Sequence, residues 1–236
     1  MPPSEVTLRR IVVGPLETNC WAVGAAGDRR ALLIDPGDDA TAILDAVADL
    51  TITAVLLTHA HFDHVLAVAE VMDALGVRVL AHPADAPVWP EEREHLRRHG
   101  HWDAGSATAD LLATDPALLQ PARKARLWDG AADPVSDGDL LRVGPLTAEV
   151  WHTPGHTPGG LSLLLPGHVL TGDTLFPGGP GLTGAPWPLS DFATVMDSAQ
   201  RLLTLPPATT VHPGHGPDTS VATERPHVRD WRRRGW

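Results

Sequence analysis

Apolar, β-branched runs at 6 to 13, 20 to 24 and 31 to 34, separated by Gly, Pro and Asn, predict an antiparallel set of strands at the start of the chain. Helical spacing begins near Asp39, where Ile43, Leu44, Val47 and Leu50 share a face, and the apolar run at 53 to 57 then reads as a buried strand. Val65, Val68, Ala69, Met72 and Leu75 recur at helical spacing up to Gly76, a residue suited to a helix C-terminus, and a short strand is expected at 77 to 81. A second series follows, with strands at 139 to 143, 147 to 151, 161 to 165 and 168 to 171. An amphipathic helix over about 190 to 204, a strand near 209 to 212 and a last helix over about 222 to 234 complete the pattern. Two strand-rich halves, each carrying helices, predict two sheets packed face to face with helices outside.

The interval from 83 to about 134 breaks this rhythm. It is rich in Pro, Asp, Arg and Trp and shows only short helical patches, so it reads as an insertion in a single domain spanning 1 to 236. Its tryptophans Trp89, Trp102 and Trp128 are spaced too irregularly for one helix face. Two readings stay open: they line a substrate entrance as a lid or pocket wall, or they form a local core.

Composition narrows the function classes. A chain of 236 residues that is 43% hydrophobic can bury a sizeable core. No apolar stretch reaches membrane-spanning length and no secretion signal is visible at the N-terminus, so a soluble cytoplasmic protein without a membrane partner is expected. The net charge of −11 argues against a nucleic-acid partner, and the basic run Arg232-Arg233-Arg234 reads as the solvated end of a helix. A single cysteine, Cys20, excludes an internal disulfide framework and any multi-cysteine zinc site. A metal, if bound, must rely on histidine and carboxylate.

Those residue types are concentrated at 58 to 64, THAHFDH, at the end of the predicted strand 53 to 57. His59 and His61 alternate by two, so on an extended segment they leave the same face, and Asp63 and His64 follow where a helix begins. So many buried polar groups would be costly without a metal or strong partners. The same chemistry returns after three more predicted strands: His152 and His156 in WHTPGHTPGG, Asp173 in LTGDTLF, and His212 and His215 in VHPGHGPDT.

The ordered set HxHxDH, GHTPG, GD and PGHG resembles the metallo-β-lactamase-fold metallohydrolases over nearly the whole chain, and within them the compact, single-domain members of the glyoxalase II-like (hydroxyacylglutathione hydrolase-like) group. The resemblance implies an α/β fold (α+β by some schemes), a four-layer αβ/βα sandwich with two divalent metal ions at one edge of the paired sheets. Zinc suits the imidazole and carboxylate donors, and iron or manganese would also be accepted. Carried over motif by motif, His59, His61 and His156 would hold the first ion, Asp63, His64 and His215 the second, and Asp173 would bridge them. Asp63 would also orient the attacking hydroxide, and Asp35, in LLIDPG, would orient a metal ligand by hydrogen bonding. His152 and His212 match positions outside the ligand set.

The activity so implied is hydrolysis of a small acyl thioester by a hydroxide bridging the two ions. Chemistry favours that class: a thiolate, with a parent thiol pKa of about 8.5, leaves without a general acid, whereas an amide nitrogen needs one. The chain has no tyrosine and one lysine, Lys124, and reads PGGPGLTGAP after GDTLF, which leaves the acyl group and the thiol carrier open. The alternatives within the resemblance are a mono-iron persulfide dioxygenase, using His59 or His61 with His156 and Asp173, and a hydrolase of another ester, lactone or lactam.

Overall fold

Val6–Val13 (β1), Thr18–Ala25 (β2) and Arg30–Ile34 (β3) form an antiparallel meander in the computed structural model, which describes residues 5–99, 126–184, 187 and 189–235. Ala40–Ala46 (α1), capped by the Asp39 carboxylate on the Ala42 N–H, carries the chain across to Thr51–Leu56 (β4), parallel to β3. Phe62–Val65 (α2) and Val68–Leu75 (α3) lead to Val79–Ala81 (β5), parallel to β4. A 3-10 turn at Pro83–Asp85 and the helix Val88–His99 (α4) come next. Asp133–Pro134 (β6) then pairs with β5 and completes a six-stranded sheet in the order β1 to β6.

Leu140–Val143 (β7), Leu146–His152 (β8), Leu161–Leu165 (β9) and His168–Gly172 (β10) make the antiparallel part of a second sheet. A two-stranded ribbon of Leu175–Phe176 (β11) and Gly179–Pro180 (β12) precedes Phe192–Leu202 (α5). Thr210–Pro213 (β13) then lies parallel to β10, Thr219–Ser220 (β14) closes the edge, and Val221–Glu224 (α6) and Val228–Arg234 (α7) end the chain.

Alternation along the strands separates the layers. Leu32 and Ile34 on β3 and Ala54 and Leu56 on β4 face the second sheet, meeting Ala148 and Val150 of β8 and Leu161 and Leu163 of β9. Leu33 and Val55 point the other way, under Ile43 and Val68 of the helices. On the far side of the second sheet, Val169 and Val211 pack beneath Met196, Ala199, Leu202 and Trp231. Each such leucine or valine withdrawn from water contributes about 1.5–3 kcal/mol. The result is the metallo-β-lactamase fold, helix, sheet, sheet, helix.

Two predicted helices are divided, for different reasons. Between α2 and α3 the Ala67 N–H turns to the Pro36 carbonyl, and the Leu66 N–H is shared between Phe62 and Gly37, so backbone of the loop after β3 docks into the break. The predicted helix over 222 to 234 is interrupted by a 3-10 turn at Arg225–His227, where Pro226 has no N–H to continue the ladder. The segment after residue 83 holds more helix than its pattern suggests, because α4 runs twelve residues. Trp89 and Trp128 are buried behind the first sheet, 6.2 Å apart and stacked, with Trp89 Nε1 donating to the Trp128 carbonyl. They take the core reading rather than the entrance one; Trp102 lies outside the described residues.

Candidate metal centre

Every chemistry-bearing loop leaves the same edge of the sandwich. His59 and His61 follow β4, Asp63 and His64 sit in the first turns of α2, His156 lies between β8 and β9, Asp173 follows β10 and His215 follows β13. One atom each of His59, His61 and His156 lies within 4.8 Å of the others, and so it is for Asp63, His64 and His215. Asp173 lies between the groups: its carboxylate is 3.5 Å from His64 Nε2, 3.6 Å from His156 Nε2 and 3.7 Å from His215 Nε2. The structure thus brings all seven residues of the predicted set to one place. His152 and His212 stay apart, His152 bonding the Pro158 carbonyl and stacking on His82, His212 meeting His168 and Asp218.

The ring orientations follow from what each Nδ1 meets. His64 Nδ1–H donates to Asp35 Oδ2 at 2.9 Å, His156 Nδ1–H to the Leu182 carbonyl at 2.7 Å and His215 Nδ1–H to the Leu16 carbonyl at 2.8 Å. The Thr58 hydroxyl spends its proton on Asp35 Oδ2, so it accepts from His59 Nδ1–H. With those protons fixed, four Nε2 atoms point inward. His59 Nε2, His156 Nε2 and Asp173 Oδ1 are buried without any hydrogen-bond partner, and His64 Nε2 and His215 Nε2 lie 3.3 Å apart. Buried acceptors left unpaired in this way are costly, and cations placed between them would satisfy them together. Imidazole and carboxylate donors at these spacings therefore fit divalent metal ions, with three imidazoles on one side, two imidazoles and a carboxylate on the other, and Asp173 between.

Asp35 earns its place through backbone strain as well. It holds φ 49°, unusual for a residue with a side chain, and is tied by the Thr58 N–H and hydroxyl and by His64. Asp85 was not evident in the sequence: it accepts from the Ala60 N–H, the Thr157 hydroxyl and the Gly159 N–H, binding the loop of His59 and His61 to the loop of His156. Burial raises its carboxyl to about 6 despite those donors. Glu92, on α4, was missed too; it is buried with Oε1 at 3.6 Å from His61 Nε2. The HPAD stretch after a predicted strand was the available signal for Asp85. Glu92 offered none, because in sequence it is one acid among several on a charged helix.

Glycines complete the packing. A Cβ on Gly214 would come within 2.1 Å of Asp173 Oδ1 and 2.8 Å of His64 Cε1, and one on Gly181 within 1.8 Å of the Asp173 carbonyl. Only glycine allows these loops so close to the carboxylate. Beside the cluster opens a pocket of about 420 Å³, walled by Leu16, Phe62, Phe176, Leu182 and Trp187, with Arg234 at its margin.

Without an ion, the charge is uneven. Burial and neighbouring imidazoles push His59 and His61 well below the ordinary histidine range. Burial also pulls His64 and His215 down, but Asp63 and Asp173 outweigh it and raise them to about 9 and about 10. The two face each other and titrate as a pair. A raised histidine contributes stability that is full below its unfolded pKa of about 6.5 and is lost as pH climbs through the folded value. Chelated protein is thus expected to lose thermal stability as pH rises from about 6.5 to about 10, and divalent metal, which must displace those protons, should bind more tightly over the same window. Melting curves in chelator check the first expectation and competition titrations the second; a melting midpoint that rises across that range would refute the assignment of these protons to the pair.

Among known families, the metallo-beta-lactamase superfamily matches residues 13–215. The chain is similar to the probable metallo-hydrolase YqgX of Bacillus subtilis, 34% identical over 92% of this chain and 93% of that protein. It is also similar to the hydroxyacylglutathione hydrolase GloC of Haemophilus influenzae, 29% identical over 91% of this chain and 93% of the other. Among solved structures, TTHA1623 in a di-iron-bound form superposes with a TM-score of 0.74 at 33% identity, covering 92% of this chain and 96% of that one.

Proposed function

The chain belongs to the metallo-β-lactamase superfamily and is a metal-dependent hydrolase; within that class we propose that it holds two divalent ions and hydrolyses a small acyl thioester. His59, His61 and His156 hold one ion in this reading, Asp63, His64 and His215 the other, and Asp173 spans both. The observation that carries it is the placement of Asp173 between the two histidine groups with a buried, unpartnered oxygen. When bound, such ions supply acidified water as a nucleophile at neutral pH and polarise a carbonyl.

The residues of the chain do the rest. Asp63, its Oδ2 reached by the Thr18 hydroxyl and 3.1 Å from His215 Nε2, offers an oxygen beside the reacting centre that can accept a proton from the attacking water. Phe62, Phe176 and Trp187 give the acyl chain an apolar wall and exclude water from it. Of the pocket's ionisable groups outside the seven, Arg234 is a guanidinium that stays protonated, and Glu92 has its Oε2 sealed from solvent beside His61. Arg234 has no proton to give a departing amine, and Glu92, whose carboxyl burial raises well above the usual range, faces His61. A thiolate needs none, which favours a thioester over a lactam. GloC, named for hydrolysing a hydroxyacyl thioester, supports the same class.

The test is metal analysis of the purified protein beside a panel of acyl thioesters on glutathione and on other small thiols, with a β-lactam and a persulfide for comparison. Two ions per chain and thiol release from one or more thioesters are expected. One iron per chain, with oxygen consumed on persulfide and no thiol released from any thioester, would overturn both the stoichiometry and the reaction class.

A further inference from the structure

Glu92 occupies a position where the fold calls for an apolar side chain. On α4 it shares a face with Val88 and Trp89, both in the core behind the first sheet, while Glu91 and Glu94 on the same helix are exposed. Its burial is nearly complete, at 4% exposure. Carboxylates are rarely buried so far without a cation, and among the described residues Glu92 faces the ring of His61, Oε1 to Nε2 at 3.6 Å; burial keeps that imidazole neutral and raises the Glu92 carboxyl well above the usual range. The carboxylate also accepts the Phe62 N–H, one residue further along the same loop. Oε2 is buried with no partner.

His61 differs from the other histidines of the cluster in which nitrogen meets the protein. His59, His64, His156 and His215 all engage a neighbouring oxygen through Nδ1 and turn Nε2 inward. His61 instead has the Glu92 carboxyl on its Nε2 side, at 3.6 Å. An imidazole that gives one nitrogen to a metal keeps its proton on the other and is oriented by whatever accepts that proton.

We propose that Glu92 is the positioning residue for His61: its carboxylate takes the Nε2 side of the ring, grips the Phe62 backbone and so turns Nδ1 toward the first metal site. The segment after residue 83 thereby acts on the metal site from behind, with Asp85 tying the loops and Glu92 setting a ring. This rests on the reading of His61 as a metal ligand.

Two variants test it, by chelator competition that resolves the two ions. Glu92→Met fills the space without an acceptor or a charge, and a buried ion replaced by an apolar side chain is commonly tolerated by a fold. It is expected to melt near the parent when metal-free, yet to hold the first ion about 10- to 100-fold more weakly, with the second within about threefold of the parent. Glu92→Gln keeps an acceptor oxygen but cannot ionise, so it should fall between, about three- to tenfold weaker at the first ion. A parent that binds no ion would overturn the metal reading and this proposal with it. A parent with two ions, and a Glu92→Met protein whose first ion is bound as in the parent, would overturn this proposal alone. Should Glu92→Met fail to fold, Glu92→Gln decides: a first ion held as tightly as in the parent rejects the role.

Discussion

Asp63→Ala is expected to purify with the first ion retained and the second largely lost, and to hydrolyse thioesters slower by about two orders of magnitude or more, the scale of removing a preorganised electrostatic group. Asp63 stands at the first turn of α2 with its Oδ2 3.1 Å from His215 Nε2 and 3.6 Å from His64 Nε2. Burial alone would raise its carboxyl, but the imidazoles of His64 and His215 hold it well below the usual carboxylate range. In the proposed reading the substitution removes one of three ligands private to the second ion, together with one negative charge. His59, His61 and His156 are untouched by it. Among the described residues the sheets reach the carboxylate through the Thr18 hydroxyl of β2 at 3.3 Å, a single long hydrogen bond, so the fold should survive. Metal content and turnover are measured on the same preparation. A variant that keeps two tightly bound ions, or that loses one and still hydrolyses thioesters at the parent rate, would show that Asp63 has been given the wrong role.

Gly214→Ala should produce a loss of similar size without removing any ligand. The new Cβ would stand 2.1 Å from Asp173 Oδ1 and 2.8 Å from His64 Cε1. His64 is pinned through Nδ1 by Asp35, so the Asp173 carboxylate, the free end of a side chain, is what gives way. Moving it is cheap for the fold and expensive for the site, because displacing a reacting group by about 1 Å can cost on the order of a hundredfold in rate. The metal-free variant should therefore melt close to the parent, while the loaded one falls short of two ions per chain and turns over thioesters about a hundredfold more slowly. Parent-like turnover with full metal content would mean that the bridging position of Asp173 does not matter to the reaction.

The layers were legible because the strands alternate and the helices keep their spacing: β1, β9 and the stop of α3 at Gly76 fall where the pattern puts them. The break between α2 and α3 was not, since it is made by carbonyls of Pro36 and Gly37, and backbone acceptors leave no mark on the residues they will meet. The same limit applies inside the site. Seven side chains of the right type announce themselves by clustering in four motifs, and the structure places them together. The Leu16 and Leu182 carbonyls that orient His215 and His156 are invisible beforehand, because any residue could provide them. Asp85 and Glu92 were hidden for another reason: they lie in the segment with the least periodicity, where an acid reads as solvated surface until the helix α4 is seen to turn one of them inward.

The origin of the seven residues in the two sheets has a mechanical meaning. His59, His61, Asp63 and His64 come from loops of the first sheet, whereas His156, Asp173 and His215 come from loops of the second. Each ion of the proposed pair would draw on both, so the ions would act as rivets across a seam that is also held by side-chain packing and by hydrogen bonds such as those of Asp85 and of Leu161 N–H to the Thr58 carbonyl. Opening that seam requires surrendering ligands of both, and ions that bind only the closed form add their binding energy to the resistance. The working lifetime of the protein, its escape from proteolysis included, would then be set by how slowly the rivets come out as much as by the strength of the core.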